Sequence, residues 1–167
     1  YSWDIKDLTH LAESIGKSYE QLGDIVPALE WLTIASKRSE NKNWHVATMS
    51  RQGQLLFLSS VAGNLEAANE HVKKINIVKN SLDYYPDDSG WTTFWVTRGE
   101  AAYSEALGNL DDAANKYRKA ISAYKTLDLE FPQTHRLEAQ LAMVLMNQGN
   151  LVEAEAILVS GLSSNQS

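Results

Sequence analysis

A six-residue pattern occurs four times in the chain: Gly23-Asp24-Ile25-Val26-Pro27-Ala28, Gly63-Asn64-Leu65-Glu66-Ala67-Ala68, Gly108-Asn109-Leu110-Asp111-Asp112-Ala113 and Gly149-Asn150-Leu151-Val152-Glu153-Ala154. Each reads Gly, then Asp or Asn, then Ile or Leu, two variable residues and Ala. The glycines lie 40, 45 and 41 residues apart. A period of that length marks stacked supersecondary units, because one unit cannot bury its apolar face alone. The pattern itself describes a helix–turn–helix corner. Glycine accepts the left-handed conformation that ends one helix. The Asp or Asn side chain is suited to cap the next, and the Ala allows two helices to approach closely. Pro27 falls in a first helical turn, where a missing amide hydrogen costs little.

The flanks carry the matching periodicity. Leu8, Ala12, Ile15, Tyr19 and Leu22 precede the first turn at helical spacing, and Ile25, Ala28, Leu32 and Ala35 follow it. Around the last turn, Leu137, Leu141, Ala142 and Leu145 are answered by Leu151, Ala154, Leu158 and Leu162. Such spacing places the apolar residues on one helix face. No segment alternates with a period of two, so no strand is expected. The reading is all-α, with helices over 4–22, 24–39, 44–62, 64–81, 91–107, 109–127, 134–148 and 150–163, arranged as four antiparallel pairs. The connections 39–43, 85–90 and 130–134 are polar or turn-rich, and Pro86 and Pro132 stand where a helix should stop. One domain spans 1–167, with units at 4–42, 43–86, 87–130 and 131–163 and a frayed tail at 164–167.

Composition narrows the function. The 167 residues carry 15 Lys plus Arg against 21 Asp plus Glu, a net charge of −6. A nucleic-acid surface needs clustered positive charge, so no nucleic-acid partner is expected. Lys73, Lys74 and Lys79 form a local basic group, but neighbours on a helix point to different faces, which makes it a solvated face. No run approaches the 18 apolar residues of a membrane span. The absence of cysteine removes thiolate nucleophiles, disulfides and Cys-based zinc sites. The chain begins at Tyr1 without an initiator Met and shows no targeting segment. It is therefore expected to be cut from a longer chain, with the cytoplasm as the default location.

The repeated unit resembles the tetratricopeptide repeat. That family places a small residue, a tyrosine-like aromatic and a Gly on the first helix and its turn, and Ala, a bulky residue and Ala on the second. The first unit matches with Gly16, Tyr19, Gly23, Ala28, Leu32 and Ala35. The third matches with Gly108, Ala113, Tyr117 and Ala120, and the fourth with Ala142, Leu145, Gly149, Ala154, Leu158 and Gly161. The second is the weakest, with Leu56, Ser59, Gly63, Ala68, Val72 and Ile75. The usual repeat is about 34 residues, shorter than these units, and the family's closing proline is missing or displaced. The longer unit is similar to those of kinesin light chains, maltose-type bacterial transcription activators and bacterial proteins with a caspase-like protease domain. Armadillo and HEAT repeats share its length but not its turn.

The resemblance implies a right-handed superhelical α-solenoid whose first helices line a concave groove. The family register then names groove residues: Lys17 with His10, Glu13 and Glu20; Phe57 with Ser50 and Ser60; Trp95 and Arg98 with Glu105; and Arg136, Met143 and Asn147 with Met146. Trp and Arg are frequent binding hot spots, and Met adapts to irregular surfaces. An extended or helical peptide with an acidic group near Arg98 and Arg136 would suit this lining. The alternatives are that Trp95 packs between units and that the arginines pair with Glu105 or Glu138. Chaperone-binding family members hold a peptide carboxylate with lysines, asparagines and an arginine; here the first two units hold Glu13, Lys17 and Phe57, and that clamp is not met. Trp91, Trp95 and Arg98 share a face, and with Tyr84 and Tyr85 they are expected to seal the longest connection.

Catalytic chemistry finds little to work with. His10, His45, His71 and His135 lack the paired spacing of a zinc helix. Glu13 and Glu20 lie on one helix face rather than across a cleft. Asp111 and Asp112 fit a helix N-terminus, and Asp87-Asp88-Ser89-Gly90 lacks a calcium-loop pattern. No phosphate loop or nucleophile elbow is present. The expectation is therefore a non-catalytic interaction module without metal or cofactor, binding a protein or peptide through Lys17, Phe57, Trp95, Arg98, Arg136, Met143 and Asn147. The alternative is a regulatory or sensor part of a larger bacterial protein, where the repeats bind a small effector or pack on a neighbouring domain. The last helix, with Ile157, Leu158, Val159 and Leu162, is apolar on more than one side and is a candidate for self-association.

Overall fold

A computed structural model describes residues 5–81, 90–127 and 133–163. Eight helices run through them: α1 (Ile5–Leu22), α2 (Ile25–Glu40), α3 (His45–Val61), α4 (Leu65–Lys79), α5 (Trp91–Ala106), α6 (Leu110–Lys125), α7 (Gln133–Asn147) and α8 (Leu151–Ser163). Among the described residues there is no strand. Every expected helix is present, with ends within two residues of the expected ones. Tyr84, Tyr85, Pro86, Pro132 and the 164–167 tail lie outside the described residues, as does the Leu162 side chain.

The six-residue pattern works largely through its backbone. Gly23, Gly63, Gly108 and Gly149 take φ of +83°, +74°, +78° and +81°. At each, two reversed hydrogen bonds close the helix: Gly63 N–H donates to Ser60 O over 3.0 Å and Asn64 N–H to Ser59 O over 2.9 Å. This paired closure satisfies the otherwise orphaned last carbonyls. The repeated alanine amide then donates to the Asp or Asn carbonyl, over 3.0 Å for Ala68 to Asn64 and 3.0 Å for Ala113 to Asn109. All four alanines are buried. The expected side-chain cap forms at Asn64, whose Oδ1 accepts from Ala67 N–H over 3.1 Å. It is absent at Asp24 and Asn109, and the Asn150 amide instead donates to Glu153. Where the side chain turns away, the Gly closure and the carbonyl bond still define the corner.

Each Gly turn joins two helices that pack together: α1 with α2, α3 with α4, α5 with α6, and α7 with α8. Between these pairs, α2 meets α3 and α6 meets α7. The central junction is built differently, since α3 and α5 lie directly against each other. Gly53 and Gly99 permit this. A Cβ on Gly53 would stand 2.6 Å from the Trp95 carbonyl, and one on Gly99 would collide with the Gly53 carbonyl oxygen. In α1, Gly16 plays a milder version of the same part, since its Cβ would fall 2.7 Å from Leu32 Cγ.

Enclosure by its neighbours buries α3 on all sides from Thr48 to Ser60, although much of that stretch is polar. Several of its polar groups are used in a network. Gln52 Nε2 donates to Ser36 Oγ over 2.8 Å and to Glu40 Oε1 over 2.9 Å. Thr48 Oγ1 donates to Ser39 Oγ over 3.0 Å, and Ser50 and Thr92 hydroxyls meet at 3.1 Å. Buried polar groups satisfied in this way cost little and rigidify the packing. The apolar core lies mainly at the other end. Phe94, Trp95, Tyr117 and Tyr124 pack with Leu137, Leu141 and Leu145, and the Phe94 and Tyr124 rings lie 5.0 Å apart. Two apolar stripes depart from expectation. Leu22 is exposed at the end of α1, and α8 turns Leu151 and Leu158 outward while Ala154 packs inward. Leu22 and Leu151 stand beside the Gly turns.

Candidate functional site

The register-based site residues lie on α1, α3, α5 and α7, the first helices of the units. The structure divides them into a closed part and an open part.

The closed part sits under α1. Glu13 pairs with Lys17 at 2.6 Å and with Arg51 of α3 at 2.6 Å. About two turns further on, Glu20 pairs with Arg98 of α5 at 2.7 Å. The Arg98 guanidinium lies 3.6 Å from the Phe57 ring centroid, and Lys17 Nζ stands 5.2 Å and 5.3 Å from the Trp91 and Trp95 rings. Cations over aromatic faces are favourable, more so when desolvated. Phe57, Trp95 and Arg98 are all buried, and Lys17 is half-buried. The sequence reading places these side chains in an open groove; here Trp95 packs between units in the core with Phe94, Tyr117 and Leu137, Phe57 packs with Leu32 and Ala102, and Arg98 pairs with Glu20 of α1. Arg98 finds Glu20 rather than Glu105. Glu105 instead accepts from the Tyr117 hydroxyl at 3.1 Å.

Burial by itself would raise the Glu13 pKa. Lys17 and Arg51 outweigh it and hold the carboxyl below its ordinary value. For Tyr117, burial and the adjacent Glu105 carboxylate both push the phenol upward, so it stays protonated and donates.

The open part is on α7. Arg136, Met143 and Asn147 are exposed, and spacings of seven and four residues put them along one stripe. Arg136 Nη2 also donates to the Gln21 carbonyl of α1 over 3.3 Å, so the stripe begins where α1 ends. Glu138, the other expected partner, faces Lys125 and His135 at 3.6 Å each. Met143 borders a cleft of about 350 Å³ with Ser60, Val61, Glu105, Tyr117 and Gln140. Met146 is exposed beside it.

A larger cleft, of about 660 Å³, opens at the opposite ends of α3 and α5. Residues from α1, the start of α3 and the start of α5 line it, including Lys17, Trp44, Arg51 and Trp91. Sequence reasoning names Lys17 and Trp91 but passes over Trp44 and Arg51. A Trp before the first turn of α3 and an Arg near the start of its buried run are the signals available for them. Arg51 is 2% exposed, and its Nε and Nη1 have no hydrogen-bond partner.

The histidines take separate places. His10 and His45 border the larger cleft, and His71 joins the α3 network by donating from Nδ1 to Gln52 Oε1 over 2.7 Å. Burial, with Lys74 adding to it, lowers the His71 pKa to about 4, against the opposing pull of Glu40 and Glu70. Lys73, Lys74 and Lys79 each face a carboxylate. Among the described residues no group of three His, Asp or Glu is placed to hold a metal ion. None of the described helices is long and apolar enough to cross a membrane.

Residues 106–167 match the family model of the tetratricopeptide repeat. No curated protein sequence matches the chain at a significant level. The matched segment carries the Gly108 and Gly149 corners, and the same closure recurs at Gly23 and Gly63. Over residues 106–167 the chain is similar to the tetratricopeptide repeat.

Proposed function

We propose that the protein is a non-catalytic interaction module that holds a protein or peptide segment along α7 and the cleft beside it. The observation that carries this is the exposed stripe of Arg136, Met143 and Asn147 bordering a recess that other units complete. A family built for protein contacts supports the same reading. Met143 is 60% exposed, and an exposed Met beside a recess offers a surface that adapts to a partner side chain. Arg136 supplies a charge-assisted contact for an acidic group at one end of the stripe. Within the closed part, Trp95, Phe57 and Arg98 support the surface from beneath, and Lys17 joins it at the edge.

Photocrosslinking tests the reading. A photoreactive side chain at position 143 is expected to trap a defined partner in extract from the source cell. The trap should be lost when Arg136→Glu is added with helicity unchanged. Equal trapping of that partner from position 152, on the outer side of α8, would overturn the assignment to α7.

A further inference from the structure

The larger cleft is lined by a buried side chain with unmatched hydrogen-bond donors. Arg51 is nearly inaccessible, and of its nitrogens Nη2 is occupied by Glu13 while Nε and Nη1 lack partners. Buried N–H groups are ordinarily matched by acceptors, and a guanidinium cannot shed its proton to escape the mismatch. This one borders a cavity of about 660 Å³, within the range typical of small-molecule sites. The charges in its lining do not balance. Lys17 and Arg51 share the single carboxylate of Glu13, which leaves one positive charge in a chain of net charge −6. Two indoles, Trp44 and Trp91, supply flat apolar walls.

We propose that this cleft binds a small organic monoanion, a carboxylate carried on an aromatic or apolar body. The carboxylate is received between Lys17 at the mouth and the Arg51 guanidinium on the floor. Lys17 is the more exposed of the two, 27% against 2% for their side chains, which fits that order of entry. The body lies against Trp44 and Trp91. One excess charge in the lining matches a monoanion; a phosphate dianion would leave charge uncompensated in a partly dehydrated site. The cleft and the α7 stripe occupy opposite ends of α3 and α5, so either assignment can fail without the other.

Titration calorimetry at pH 8, where an ordinary histidine is neutral, tests this with 3-phenylpropionate as the probe. Saturable binding is expected below about 1 mM, with 3-phenylpropanamide weaker by roughly tenfold or more, since it forfeits the charge-assisted bonds. Arg51→Met is expected to abolish binding. Because that substitution leaves Glu13 with a lost partner and can unfold the chain, Ser14→Glu provides the second variant. Ser14 is an exposed residue of the lining. Its replacement should weaken binding at least about tenfold with the melting temperature unchanged. Equal affinity for acid and amide, tighter binding of phenyl phosphate, or wild-type affinity in Ser14→Glu would each overturn the proposal. So would binding of a peptide ending in phenylalanine when the free acid does not bind.

Discussion

Glu20 of α1 and Arg98 of α5 form an ion pair at 2.7 Å across 78 residues of sequence, with the Phe57 ring stacked on the guanidinium. It joins the first unit to the third, and both side chains are at most 10% exposed. A pair this buried offers little net gain over an apolar pair, but it is costly to break from one side, because the remaining charge stays dehydrated. Arg98→Ala is expected to destabilise the fold by about 3–5 kcal/mol. The double replacement Glu20→Leu, Arg98→Met should cost much less. Urea denaturation of both single variants and the double variant measures this; additive losses would show that the two side chains do not act together.

The α3–α5 junction tolerates no side chain at its closest point. Gly53→Ala would press a methyl against the Trp95 carbonyl at 2.6 Å, and backbone cannot rotate away as a side-chain tip can. A loss of about 1–3 kcal/mol or more is expected. Gly23→Ala meets no atom within 4 Å and suffers only the strain of a φ of +83°, about 1–2 kcal/mol. Thermal melts of the two variants should therefore differ in origin: a conformationally free residue such as Asn rescues position 23 but not position 53.

The corners predict unequal caps. Asn64 accepts from Ala67 N–H, whereas Asn109 makes no such bond. Asn64→Ala should cost about 1 kcal/mol and Asn109→Ala a few tenths at most, read from chemical denaturation midpoints. Equal losses would mean that the two corners behave alike in solution.

His71 makes stability depend on pH. Its pKa in the folded protein is about 4, below the value near 6.5 of an unfolded histidine. Between those values the unfolded chain binds more protons, so stability is fully present above pH 6.5 and falls as pH drops toward 4. With allowance for its partial exposure, the loss is on the order of 2 kcal/mol. His71→Gln should flatten the denaturation midpoint across that window. The Glu13 contribution is lost at lower pH, because its pKa is held below the ordinary carboxylate value.

The helices and their corners were legible because their causes are local. The Gly turn, the following Asp or Asn and the buried Ala act within six residues, and apolar spacing along α2 or α7 reads directly as a buried face. The buried polar run of α3 was not legible. Ser50, Arg51, Gln52 and Gln54 look like a solvent-facing stretch until neighbouring helices enclose them. Gly53 and Gly99 carried no visible signal either, since each is a lone glycine inside a helical segment and acts only through what the facing helix brings against it.

The sequence by itself determined the eight helices, the four corners and the likeness to the tetratricopeptide repeat, all of them short-range consequences of residue type and spacing. Only the tertiary structure decided which inner residues remain open. Lys17, Phe57, Trp95, Arg98, Arg136, Met143 and Asn147 all fall on the first helices of the units, yet Phe57, Trp95 and Arg98 are buried, Lys17 is half-buried and Arg136, Met143 and Asn147 are exposed. The difference comes from contacts between distant segments, such as the ion pair that joins α1 to α5 across 78 residues. It also depends on the spacing that two facing glycines allow between α3 and α5. Separations of that kind follow from how helices pack, and no periodicity along a single helix records them.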